Sequence, residues 1–133
     1  MNWKLILQLS TFGLVMGLAT ISIIPSSLEP AFWLVIFLVC AYIIAKQSPG
    51  KPFLHGLLLG LANSIWITAS HIIFFDRYLA NHAREAQMVS SMPVTLSPKI
   101  LMGITGPVVG LISGAAIGIL AMLATRLLKA QRA

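Results

Sequence analysis

Asn63, Ser64, Thr68 and His71 stand close together in an otherwise apolar tract, and these are the residues whose types could do chemistry inside a membrane. At about 100° per residue Asn63, Ser64 and His71 share an arc of roughly 120° with Gly56, Gly60 and Ser70, Thr68 lies just beyond its edge, and leucines, isoleucines and Trp66 cover the other side. Amide, hydroxyl and imidazole groups on one helix face could line a narrow path for a solute or ion. The same groups can instead hydrogen-bond neighbouring helices or their own i−4 carbonyls. No carboxylate accompanies the stripe, which favours the structural use over a pathway.

A second group of reactive types follows. His71, Asp76, His82 and Glu85 gather after the polar stripe, and His82 and Glu85 are one helical turn apart. That pair has ligand spacing, but no third ligand stands at a diagnostic distance, so no metal is expected. Nucleophile elbows, phosphate loops, paired catalytic carboxylates and zinc frames are all missing from the sequence. Neither an enzyme nor a cofactor is expected.

The elements that must position these residues follow from composition. Of 133 residues 58% are hydrophobic and 9% charged, with a mean hydropathy of +0.93. A soluble domain carries about a quarter charged residues. Charges avoid whole tracts, between Leu5 and Leu28, Pro30 and Ala45, Pro52 and Phe75, and Ile100 and Thr125. About 20 apolar residues cross a bilayer as a helix. The expected fold is an all-α membrane protein, one domain over 1–133, with four transmembrane helices in a bundle. The spans are placed at about 5–24, 28–45, 53–75 and 100–125. Tilted strands would alternate apolar and polar residues, which these tracts do not.

With four spans both termini share one side, together with Lys4, Lys46, Lys51, Arg126, Lys129 and Arg132. Glu29, Asp76 and Glu85, the only acids, fall on the other side with Arg77, Arg84 and Lys99. Basic residues are retained on the cytoplasmic side, so a multi-pass cell-membrane protein with cytoplasmic N- and C-termini is expected. The expected partners are the bilayer and, at the basic side, anionic headgroups. No aromatic platform accompanies the charges, and nucleic acid is not expected. The apolar stretch after Lys4 runs for about 20 residues, longer than a signal peptide's apolar core, so the first span is expected to be retained.

Local punctuation supports the boundaries. Ser26-Ser-Leu-Glu29 has the form of a capping box. Ser48-Pro-Gly-Lys51 reads as a turn, with Pro52 opening the third helix, and Ser97-Pro98 reads as an N-cap and first turn. Pro107 is expected to kink a helix begun at Pro98. Cys40 is the only cysteine and reads as a small buried apolar residue.

Glycines suggest how the spans pack. Gly106, Gly110, Gly114 and Gly118 form a row at every fourth residue, a glycine zipper. Gly13 and Gly17, extended by Ser10 and Thr20, and Gly56 and Gly60 repeat the frame. Small residues let helix backbones approach where lipid leaves little hydrophobic drive. Spans one, three and four are therefore expected to pack tightly, with glycine-free span two outside against lipid. The length of the last row hints at two partner helices, one of them from a second copy or another membrane protein. His55, off the polar arc, reads as interfacial. The link 76–97 is expected to hold an amphipathic helix over 75–89, its apolar face on Phe75, Leu79, Ala83 and Ala86, with an irregular connector over 90–97.

In size and span count the chain is similar to small multidrug-resistance transporters and dual-topology fluoride channels. The first family carries a glutamate in its first span, where this chain has only Gln8; the glycine-rich, arginine-bearing motif of the second is missing. No family is assigned. The expected function is that of a non-enzymatic accessory or assembly subunit. The alternative is a small-solute transporter or channel using Asn63, Ser64, Thr68 and His71.

Overall fold

The structure, a computed structural model, describes residues 1–93 and 95–131. Every regular element among them is helical: α1 (Trp3–Ser22), α2 (Glu29–Gln47), α3 (Pro52–Ile73), α4 (Phe75–Asn81), α5 (Ala83–Ser91) and α6 (Pro98–Ala130). α1, α2, α3 and α6 are long and apolar enough to cross a membrane. α1 begins early because the Asn2 carboxamide accepts from the Leu5 N–H at 3.1 Å, satisfying one orphan donor of the first turn. Pro52 and Pro98 open α3 and α6 in the first turn, where a missing N–H costs nothing. Pro107 lies inside α6, which therefore begins at Pro98. At 33 residues α6 is about 50 Å long, and it carries Lys129 in its last turn, where the helix dipole favours a cation.

α3 is the centre of the bundle. It packs against α1 on one side and α6 on the other. Along the α3–α6 seam a Cβ on Gly56 would fall on the Gly118 backbone, and one on Gly60 would fall on Gly110 and Gly114. A Cβ on Gly114 would sit 2.6 Å from the Leu57 carbonyl oxygen, and one on Gly118 2.7 Å from that of Phe53. The whole glycine row of α6 thus meets α3 within this chain. A groove of missing side chains fits a neighbouring helix along its length.

On α1 the row Ser10, Gly13, Gly17 and Thr20 also faces α3. A Cβ on Gly13 would lie 2.6 Å from Asn63 Oδ1, and one on Gly17 3.1 Å from Ser70 Oγ. Ser10 Oγ accepts from the Trp66 indole at 3.2 Å.

The placement of span two is corrected. α2 is not merely peripheral: its C-terminal half packs on α6 and buries Cys40, Ala41, Ile44 and Ala45. Cys40, Ala41 and Ile44 join Leu5, Leu9, Leu59, Ile117 and Ala121 in one apolar cluster near the end that carries both termini. Short side chains at 40, 41 and 45 do here what glycine does elsewhere. α1 and α6 are held together through α3 rather than by close packing on each other.

His55, in the first turn of α3, is buried. Its Nδ1–H donates to the Lys51 carbonyl at 2.7 Å, which leaves Nε2 to accept from the Asn2 N–H at 3.0 Å. The imidazole ties the start of α1 to the first turn of α3.

At the far end the expected single amphipathic helix is broken. His82 leaves the helical region at φ −129°, ψ 77°, separating α4 from α5. Tyr78 and His82 are buried, with Phe75 and Glu85 half-buried beside them, whereas Ala83 is exposed. Leu79 and Ala86 are half-buried as well, so the inward face keeps three residues of the expected Phe75–Leu79–Ala83–Ala86 stripe and adds Tyr78 and His82. Ser90 and Ser91 extend α5, so the irregular connector begins at Met92; Val94 lies outside the described residues. The capping box at Ser26–Glu29 does not form. Leu28 is the N-cap without a side-chain bond, Ser26 Oγ donates to Glu85 Oε1 at 3.2 Å, and Glu29 Oε1 accepts from the Trp33 indole at 3.2 Å.

Candidate functional site

α2 packs closely only through its C-terminal half, so its N-terminal half borders open space. Between it, α3 and α6 lies a cavity of about 540 Å³. That volume falls in the range of small-molecule sites, roughly 300–1,000 Å³. α3 contributes Asn63, Ser64, Thr68 and His71, so all four residues of the polar stripe line one space. α6 contributes the face carrying Met102, Thr105, Val109 and Ser113, and α2 contributes Glu29, Trp33 and Phe37. Tyr78 of α4 lines it at the far end.

The floor is sealed. Below Gly60 the α3 and α6 backbones touch through Gly60–Gly114 and Gly56–Gly118, and Leu59 and Ile117 beneath are wholly buried. The α6 wall is open on its flank: Val109 lines the cavity and is still 61% exposed. The space is a blind pocket reached from the far end and from the side, not a pore.

The polar groups differ in what they have left to offer. Ser64 Oγ donates to the Leu61 carbonyl at 2.8 Å, so its lone pairs remain. A Cβ on Gly106 would fall on Thr68 Oγ1, which fixes that hydroxyl against α6. Thr20 donates its hydroxyl hydrogen to the Met16 carbonyl at 2.8 Å, so at 2.9 Å it must accept from His71 Nε2–H. Nδ1 of His71 is then the free acceptor. Asn63 is the exception: it is 3% exposed, and neither Nδ2 nor Oδ1 has a partner. An amide so placed loses water without compensation, at about 1–3 kcal/mol for each unsatisfied group.

Above His71 three rings stack. Tyr78 lies 4.2 Å from His71 at 22° and 4.2 Å from His82 at 24°, centroid to centroid. His82 Nδ1–H donates to the Tyr78 carbonyl at 2.8 Å, and its Nε2 is buried without a partner. Burial, then the carboxylates of Glu85 and Glu29, push the Tyr78 phenol up to about 12.

Among the described residues no group of three or more His, Cys, Asp or Glu side chains could hold a metal. Sequence reasoning missed Glu29, Trp33, Phe37, Tyr78 and the α6 face. The spacing of Glu29, Trp33 and Phe37 by four was a usable sign, as was that of Thr105, Val109 and Ser113. Their meeting with α3 depends on helix placement. No protein-family model, curated protein or solved structure matches the chain.

Proposed function

We propose that this chain is a non-enzymatic, multi-pass cell-membrane protein that holds a small molecule in the cavity between α2, α3 and α6. The polar stripe supports this reading above all: Asn63, Ser64, Thr68 and His71 line one space of ligand size, and Ser64 Oγ and His71 Nδ1 keep lone pairs for a molecule that enters it. The sealed floor favours a binding site over a channel, because a continuous path would require parting the α3–α6 glycine seam, where no side chains intervene. In this reading the termini are cytoplasmic, the basic residues around them lie among anionic headgroups, and the cavity faces the outer half of the bilayer.

The test is native mass spectrometry of the protein purified in mild detergent, beside the Asn63→Leu variant. A small molecule retained by the native protein and lost from a folded Asn63→Leu protein is the expected result. Two ligand-free proteins, with a stoichiometric membrane partner or second copy co-purifying instead, would return the chain to the accessory-subunit role.

A further inference from the structure

We infer that the molecule held in this cavity is an organic cation, an ammonium with an apolar substituent, its charge at the Glu29–Tyr78 end. This rests on the ligand-binding reading above and adds the ligand's class. The chain has nine basic residues and only three acids, yet one of the three, Glu29, lines the cavity together with Tyr78. A second, Glu85, stands outside the lining, where its Oε1 accepts from Ser26 Oγ, three residues before Glu29.

Among the described residues neither carboxylate is paired with a lysine or arginine. Glu29 accepts from the Trp33 indole, and Glu85 Oε2 is buried with no partner at all. The nearby cations are engaged elsewhere or face away: Lys99 sits 5.4 Å over the Phe75 ring, and Arg77 and Arg84 are exposed. Carboxylates withdrawn from water without a counter-charge are costly, and a bound cation relieves that cost.

The walls suit an organic cation better than a metal ion. Trp33, Phe37 and Tyr78 present aromatic surface, which attracts ammonium groups through the ring quadrupole. A metal ion would need several converging oxygen or nitrogen ligands, and no such group is present among the described residues. Deeper in, Phe37 and Val109 offer apolar contact, and Ser64 Oγ, which donates to Leu61, offers its lone pairs to a polar substituent.

Equilibrium binding of labelled benzyltrimethylammonium and its uncharged carbon isostere, neopentylbenzene, tests this in dodecyl maltoside, with protein-free micelles as blank. The expected result is saturable binding of one cation per chain, about tenfold tighter than the isostere. Glu29→Gln and Glu85→Gln, each verified by circular dichroism and gel filtration, should each weaken the cation about tenfold and leave the isostere unchanged. Glutamine keeps the oxygen that Trp33 or Ser26 donates to, and two independent variants guard against misfolding of one. Equal binding of both probes, or a cation preference that survives both substitutions, overturns the cation assignment while leaving the cavity reading in place. Binding of neither probe overturns the assignment too; with a ligand-free native mass spectrum it removes the cavity reading as well.

Discussion

Each histidine in this chain has one ring nitrogen committed to a neighbour whose chemistry settles the tautomer. His55 and His82 donate Nδ1–H to carbonyls one turn earlier, and His71 donates Nε2–H to Thr20. The three rings thereby act as fixed hydrogen-bonding parts, and two of them clamp Tyr78. Tyr78 gives the clearest single-residue prediction. Its pKa rises from the ordinary 10.0 to about 12, through burial first and then the Glu85 and Glu29 charges. Between those values the folded chain keeps a proton that the unfolded chain has lost. The stabilisation is therefore complete below pH 10 and disappears as pH rises through 12. The 295 nm titration of the native protein minus that of Tyr78→Phe should show a phenolate step near 12; a step near 10 would place the phenol in water. Of these residues only His71 could be read as part of a face from sequence. The roles of Tyr78 and His82 depend on the chain turning back over the bundle at Phe74, which no local pattern announces.

At the scale of elements, the glycine rows carry the packing. Gly60 and Gly114 lie where backbone meets backbone, so an added methyl has no flexible side chain to displace. Gly60→Ala and Gly114→Ala should each destabilise by about 1–3 kcal/mol, as overpacking does. Gly103, on the same α6 helix, has nothing within 4 Å of its would-be Cβ, and Gly103→Ala should be neutral or slightly stabilising. Unfolding in sodium dodecyl sulfate, followed by circular dichroism, separates the two cases; equal effects at all three positions would show that helix propensity, not contact, governs. These rows were visible in the sequence because spacing by four is a property of one helix. Which helix each row would meet was not, and α2 found a place on α6 through Cys40, Ala41 and Ala45 although it has no glycine.

For the whole molecule, the contrast is between a closed half and an open one. Near the termini four helices converge on one apolar cluster; toward the far end α2 borders a cavity. Cys40 reports on the closed half, being fully buried, and should resist N-ethylmaleimide in the native protein. Ser113 lines the cavity. Ser113→Cys in a Cys40→Ala background should react at least about tenfold faster, because thiol reactivity follows access to water. Equal inertness of the two thiols would mean that the space between α2 and α6 is shut.

Sequence alone determined the four apolar helices, the faces on which glycine and polar groups lie, and the shortage of acids, since these follow from composition and from 3.6-residue periodicity. Only the tertiary structure decided that α3 stands between α1 and α6, that α2 closes one half and leaves the other open, and that Glu29 and Tyr78 meet at the cavity's end. The physical reason is that a helix's own pattern says which side wants a neighbour, whereas the neighbour's identity depends on matching two surfaces distant in the chain. Asn63 shows the difference: its place on a polar face was readable, but its lack of any partner could be known only once every surrounding atom had a position.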